Sequence, residues 1–284
     1  MISPKREQQL IDRIKNSPVS FSSIPKHEQT ESLCLIAVQS NGHHLSSVEH
    51  KTYKLCMEAV KQTGDALKYV PEEHKKLELL FCAIRQYPTS LQYCKNQTDS
   101  LCLEAVKKNG WALQSVLKKT YKICIEAVKQ NSRALRYVPD QHQTDELVKM
   151  ALKDSGLNLE YVNNKTLEFC IMAIDNRGHA LEYVKNKNYD LCLRAVKKES
   201  SAIQFVPEQL MTKEICDLAL QEYFYGLENV PKQFQTPQMC LKALKGKIGV
   251  LRFVKIVDSK DKTLEQVIAE LELMHKTSII MGEL

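Results

Sequence analysis

The sequence predicts an all-α fold, a right-handed superhelical solenoid of ten short helix–turn–helix repeats with a cap at each end. Three observations predict it. An alanine recurs every 22 or 24 residues, apolar residues recur at fixed distances around it, and a helix-capping residue precedes nearly every copy. The recurring alanines are Ala37, Ala59, Ala83, Ala105, Ala127, Ala151, Ala173, Ala195, Ala219 and Ala243. A period this short indicates stacked repeats that each pack only on their neighbours.

The first half of each repeat predicts an α-helix. Its clearest copy is Leu101–Val116, whose residues number the sixteen positions of the pattern used below. Positions 1, 2, 5 and 6 share one helical face, because residues four apart stack along a helix. Thr stands three residues before position 1 in eight copies and Asn188 in a ninth, which predicts an N-cap, while Lys76 is the exception. The predicted helix is about 12 residues long.

The second half predicts a tighter element. Position 10 is glycine in half of the copies, which is typical of a left-handed turn that ends a helix. Positions 13 and 16 are apolar with a spacing of three, which predicts a second, shorter helix or a single 3₁₀ turn. Every 24-residue step contains Val-Pro after position 16, so proline opens a longer loop and the helices keep their register.

Both ends of the chain predict caps. Ile24-Pro25 imitates the end of a repeat, and Arg13 falls where the buried alanine would lie, as suits a terminal unit with one face in water. An amphipathic closing helix is predicted over Thr263–Lys276, followed by a tail over Thr277–Leu284. The predicted division is an N-terminal cap over residues 1–29, the repeat array over 30–257, and a C-terminal helix and tail over 258–284.

Composition excludes several classes of protein. The net charge is +6, and no run of eighteen apolar residues predicts a transmembrane helix. The segment Met1–Gln9 is polar and lacks the apolar core of a signal peptide, so a cytosolic protein is expected. Eight of the ten cysteines occupy position 2, where successive copies lie too far apart for disulfides, and no CxxC pair predicts zinc. We expect buried free thiols and a reducing compartment.

No catalytic motif stands out. The eight histidines are scattered, and no HExxH, GxSxG, P-loop or GxGxxG pattern occurs. Cys82 and Cys94 leave the cysteine row and are conceivable nucleophiles. However, Cys94 replaces a core valine, and Cys82 has no histidine near it in sequence. We therefore expect no enzyme activity, no cofactor and no metal.

Two rows of side chains are candidate binding surfaces. Position 7 is mostly basic, and its lysines predict either an ordinary solvated helix face, a track for an acidic protein surface, or a nucleic-acid site. The row consists of Lys61, Arg85, Lys107, Lys129, Lys153, Lys197 and Lys245. Position 15 is mostly aromatic, which predicts packing between repeats or, alternatively, contacts to RNA bases. That row consists of Tyr69, Tyr93, Tyr137, Tyr161, Tyr183, Phe205 and Phe253.

Large aromatics at normally small or polar positions are candidate interface anchors. They are Trp111, Tyr223, Phe224 and Tyr225. Local packing against a neighbouring loop is the alternative. Together with Lys107, Lys129, Lys153 and Lys197, these aromatics form the predicted partner-binding set, in which the lysines steer an acidic partner toward the aromatics.

The string A-V-K-x-x-G-x-A-L-x-x-V-P resembles an uncharacterised family of short helical repeats, a domain of unknown function, over residues 30–254. The resemblance implies no catalytic residues. Such repeats occur in giant viruses and in intracellular bacteria that inject effectors into host cells. By this resemblance the chain is a monomeric bacterial effector that binds and restrains an effector enzyme in the host cytosol, and Glu265–Leu284 is similar to a secretion signal. An RNA-binding repeat protein is the alternative.

Overall fold

A computed structural model describes residues 2–16, 18–246, 253–255, 266 and 269 of the chain. Over these residues the protein is all-α, without a strand. The α-helices are α1 (Pro4–Asn16), α2 (Glu31–Ser40), α3 (Tyr53–Gln62), α4 (Leu77–Gln86), α5 (Asp99–Lys108), α6 (Tyr121–Gln130), α7 (Asp145–Asp154), α8 (Leu167–Asn176), α9 (Tyr189–Lys198), α10 (Lys213–Ala219) and α11 (Pro237–Gly246).

The α-helix of a typical repeat is ten residues long and begins at the predicted cap. In α5 the Thr98 hydroxyl accepts a hydrogen bond from the Leu101 N–H at 3.3 Å. The predicted Thr caps and Asn188 are confirmed, and Lys76 makes no such bond. The predicted length is two residues too long, because position 9 is extended. Asn109, at φ −150°, uses its side chain to cap the next element by accepting from the Trp111 N–H.

The second element is a six-residue 3₁₀ helix over positions 10 to 15, as predicted. These helices are Gly42–Ser47, Gly64–Tyr69, Pro88–Tyr93, Gly110–Ser115, Ser132–Tyr137, Gly156–Tyr161, Gly178–Tyr183, Ser200–Phe205 and Phe224–Asn229. The two extra residues of each proline loop contribute to a three-residue 3₁₀ turn: Lys26–Glu28, Glu72–His74, Asp140–His142, Glu208–Leu210 and Lys232–Phe234. Length variation is thus confined to the loops.

The predicted left-handed role of glycine at position 10 is wrong. None of these described glycines has a positive φ, and the extended residue before them already ends the α-helix. A Cβ at Gly110 would instead lie 2.5 Å from the carbonyl oxygen of Ala127 in the following repeat. Gly178 has the same relation to Ala195, also at 2.5 Å. Glycine is needed here because two backbones approach closely.

The chain divides into two compact units, Met1–Leu147 and Val148–Leu284, with the division inside α7. Within each unit, the α-helices pack on the α-helices of the next repeat and the 3₁₀ helices pack on the next 3₁₀ helices. The position-5 alanines are fully buried between them. At the N-terminus α1 buries Leu10 and Ile14 while Arg13 is exposed, as predicted for a cap.

The predicted closing helix Thr263–Lys276 lies outside the described residues apart from Gln266 and Ala269, which are helical. The tail Thr277–Leu284 also lies outside them.

A Lys or Gln immediately before the N-cap ties each loop to its surroundings. The Gln97 amide donates to the carbonyls of Leu91 and Ser115, and its oxygen accepts from the Leu117 N–H. It therefore bridges its own repeat to the next. Lys119 donates to the Val116 carbonyl at 2.9 Å from the equivalent position. Sequence reasoning missed this residue, although Lys or Gln occupies the position in nine of ten repeats: Gln29, Lys51, Lys75, Gln97, Lys119, Gln143, Lys165, Lys187 and Gln235.

A longer period of 68 residues is superimposed on the single repeat, since two short loops alternate with one long loop through the middle of the chain. The same tyrosine–glutamate hydrogen bond spans the long loop each time. The pairs are Tyr53–Glu78 at 3.2 Å, Tyr121–Glu146 at 3.3 Å and Tyr189–Glu214 at 2.5 Å. Loops 68 residues apart therefore occupy equivalent places.

Candidate binding surfaces

The predicted anchor Trp111 has a packing partner. Its ring meets the Tyr137 ring edge-on, with centroids 5.8 Å apart, and Trp111 is half-buried. Position 11 of one repeat thus packs against position 15 of the next. His43 with Tyr69 at 6.1 Å and His179 with Phe205 at 5.5 Å repeat this geometry. At these pairs the position-15 row packs between repeats, while the described members of the row stay half-exposed on the 3₁₀ layer.

The three aromatics of the ninth repeat differ in accessibility. Tyr225 is 40% exposed, whereas Tyr223 and Phe224 are half-buried. The Tyr223 and Tyr225 rings lie 6.4 Å apart. The helix α10 ends early, at Ala219, and Phe224 is the first residue of the following 3₁₀ helix. Of these three aromatics, Tyr225 offers the most surface to a partner.

The basic row at position 7 lies on the α-helical layer and is partly neutralised by acidic residues at position 4. Arg85 contacts Glu104 of the next repeat at 3.1 Å. Lys61 contacts Glu58 at 2.9 Å, and Lys129 contacts Glu126 at 3.1 Å, both within one repeat. Much of this row therefore acts locally, as charge pairs of small energetic value.

One pair in the row has reversed charges. Asp175 at position 7 accepts two hydrogen bonds from Arg194 at position 4 of the next repeat. Complementary pairing between neighbouring repeats explains the row better at this point than a continuous basic track does. Lys107, Lys153 and Lys197 are exposed and make no ion pair with any other residue that the structure describes. They remain the members of the row that are open to a partner.

The cysteines are free and, except for half-buried Cys82, buried. Burial raises the pKa of Cys94 to about 11, and it also raises the pKa of Cys82. Because the thiolate is the nucleophile, both environments disfavour covalent catalysis at neutral pH. Among the described residues, no three His, Cys, Asp or Glu side chains cluster as a metal site would require.

One hydrogen-bond chain in the second unit combines a carboxylate, an imidazole and a hydroxyl. The His179 ring contacts Glu199 through Nδ1 and lies 3.3 Å from the Ser201 hydroxyl through Nε2. Glu199 also accepts the His179 backbone N–H at 3.0 Å. That contact matches the Gly110 N–H, which donates to Gln130, and the Gly156 N–H, which donates to Asn176. Glu199 therefore follows a general pattern in which each repeat caps the preceding 3₁₀ helix.

Two cavities open at the loop edge, each between two consecutive short loops. The larger, about 460 Å³, lies in the second unit and is lined by Asn163, Asn164, Lys165, Leu167, Lys185 and Asn186, among others. The smaller, about 320 Å³, lies in the first unit between the equivalent loops and includes Gln97, Asp99, Leu117 and Lys118. Sequence reasoning missed both, because it treated the loops only as length variants.

Two segments of the chain match one protein family. Residues 52–97 and 100–143 each match the family described as a domain of unknown function, DUF4116. Each segment contains two of the short repeats, so one family domain corresponds to a pair of repeats. These segments are similar to a helical repeat family of unknown function, which agrees with the resemblance stated above. No curated protein matches the chain. In the part of the chain that the structure describes, no helix is both long and apolar enough to cross a bilayer.

Proposed function

We propose that this protein is a non-catalytic scaffold that binds another protein. The observation that carries the proposal is the 3₁₀ layer, where half-exposed aromatics recur at position 15 and are joined by Trp111 and Tyr225. Aromatic side chains supply large contact area at little entropic cost, and they dominate binding energy at protein interfaces. We further propose that the repeats continue as a right-handed solenoid, a form that offers extended binding surfaces.

The proposed partner carries an acidic surface. Lys107, Lys153 and Lys197 are exposed cations, and the whole chain has a net charge of +6. Such charges accelerate encounter with an acidic protein more than they strengthen the final complex. We propose, on the resemblance to injected repeat proteins, that the partner is an effector enzyme which this monomeric protein restrains in the host cytosol.

Affinity purification with and without nuclease tests the kind of partner. Captured material from bacterial and host lysates is identified in parallel for the wild type and for Tyr225→Ala. A protein that survives nuclease treatment and is lost with Tyr225→Ala supports the proposal. Capture that disappears with nuclease would identify an RNA-binding protein instead.

The aromatic surface is tested with single variants. Tyr225→Ala is expected to weaken binding by roughly 2 kcal/mol, because an exposed anchor loses its contact area. Trp111→Ala should have a similar effect, and its stability is measured separately because Trp111 packs on Tyr137. Leu77→Ala is the control, since Leu77 is 53% exposed on the α-helical layer. Wild-type affinity in both aromatic variants, or equal loss in the control, would contradict a 3₁₀-layer interface.

A further inference from the structure

The larger loop cavity has the composition of a site for a negatively charged ligand. Two of its lining residues are lysines, Lys165 and Lys185, and three are asparagines. None of its lining residues carries a carboxylate. Two ammonium groups that share a cavity without an acidic lining residue leave positive potential, which an anion would neutralise.

Lys165 is held in place to serve such a ligand. Its Nζ donates to the carbonyl of Val162 at 2.6 Å and to that of Glu160 at 3.4 Å. An ammonium group has three donors, so one remains for a ligand. Burial lowers the pKa of Lys165, and nearby Lys185 lowers it further while Glu160 acts weakly in the opposite direction. The two lysines therefore repel each other in the empty cavity.

The opposite side of the cavity is apolar. Leu167 is 60% exposed although it is a large aliphatic residue, and Leu191 and Tyr183 also line the space. A volume of about 460 Å³ exceeds the needs of one inorganic anion. We propose that this cavity binds an organic oxyanion, a phosphate or carboxylate group on a small apolar body. Lys165, Lys185 and the Asn amides hold the oxyanion, and Leu167 contacts the apolar part.

The equivalent cavity in the first unit provides an internal comparison. Gln97 stands where Lys165 stands in the larger cavity, and Leu117 stands where Lys185 stands. Asp99 replaces Leu167, so a carboxylate enters the lining. This cavity should bind the same anion more weakly. It also shows that the loops accept Gln and Leu at these two places.

The test uses the full chain and phenyl phosphate as the probe, followed through backbone and Asn side-chain amide signals. Lys165→Gln and Lys185→Leu copy the residues of the smaller cavity and should preserve the fold. Each should weaken binding about tenfold, because each removes a charge-assisted hydrogen bond. Lys187→Gln is the matched control, since it removes the same charge from the same loop outside the cavity lining.

Inorganic phosphate and phenol, as separate probes, should each bind more weakly than phenyl phosphate. A phosphotyrosine tripeptide distinguishes the source of the anion: tighter binding than phenyl phosphate indicates a side chain of a partner protein, and weaker binding indicates a free small molecule. Absence of phenyl phosphate binding at millimolar concentration would overturn the proposal. So would an equal loss of affinity in Lys187→Gln and Lys165→Gln.

Discussion

At the scale of single residues, glycine at position 10 is defined by the neighbouring repeat. Gly110→Ala places a Cβ 2.5 Å from a backbone oxygen, which cannot move without the whole repeat. We expect a loss of about 1–3 kcal/mol in the free energy of unfolding, as for overpacked cores. Urea denaturation measures it.

Gly226→Ala is the matched control, because its Cβ would meet only the Tyr223 ring, at 3.1 Å. Alanine already occupies this position in several repeats, so the change should stay within about 1 kcal/mol. Equal destabilisation by the two substitutions would contradict the close-approach explanation.

The buried thiols make stability depend on alkaline pH. Burial raises the pKa of Cys124 from its ordinary value of 9.0 to about 11, and Cys56 and Cys216 behave alike. The unfolded chain therefore releases thiol protons at lower pH than the folded protein does. The stabilisation is complete below about pH 9 and is lost as pH rises toward about 11.

Denaturant unfolding across this window should show falling stability. Lysines and tyrosines also titrate there, so the comparison is with Cys124→Ala, whose decline should be less steep by one thiol proton. An identical slope in the two proteins would show that this thiol does not contribute.

At the scale of elements, the residue before each N-cap connects neighbouring repeats. Gln97→Leu leaves the carbonyls of Leu91 and Ser115 and the Leu117 N–H without their partner. A loss of about 1–3 kcal/mol is expected when such groups lose their hydrogen bonds. Gln97→Lys should be nearly neutral, because Lys119 already serves this purpose one repeat later. Thermal melts of both variants decide, and a melting temperature of Gln97→Leu equal to that of the wild type would refute the bridging role.

At the scale of the whole molecule, the alanine column carries the stacking. Ala127 is fully buried, and its carbonyl lies against Gly110. Ala127→Arg should therefore unfold the protein, since it forces bulk and an unpaired charge between two repeats. Lys122→Arg on the same helix is the exposed control and should leave the circular dichroism melt unchanged. A folded, wild-type-like Ala127→Arg protein would remove the stacking argument.

The proposed solenoid is tested by solution scattering. A compact chain of 284 residues has a radius of gyration of roughly 19 Å. A continuous superhelix should exceed that value clearly, because each repeat adds length in one direction. A value near that of the compact chain would contradict the continuous array.

The sequence by itself determined the local architecture. Thr98 and its equivalents announce the start of each α-helix, and the spacing of positions 13 and 16 announces the 3₁₀ helix, because capping and helical periodicity depend on residues close in the chain. Proline after position 16 likewise located the longer loops. These features need no knowledge of what lies across the interface.

Only the tertiary structure decided what depends on residues one repeat away. The need for glycine at Gly110 comes from the Ala127 backbone, and the packing of Trp111 comes from Tyr137, so neither is visible in a single repeat. The cavity beside Lys165 exists because two short loops lie next to each other. Contacts about 22 residues apart depend on how repeats stack, and that geometry is set by packing rather than by local propensity.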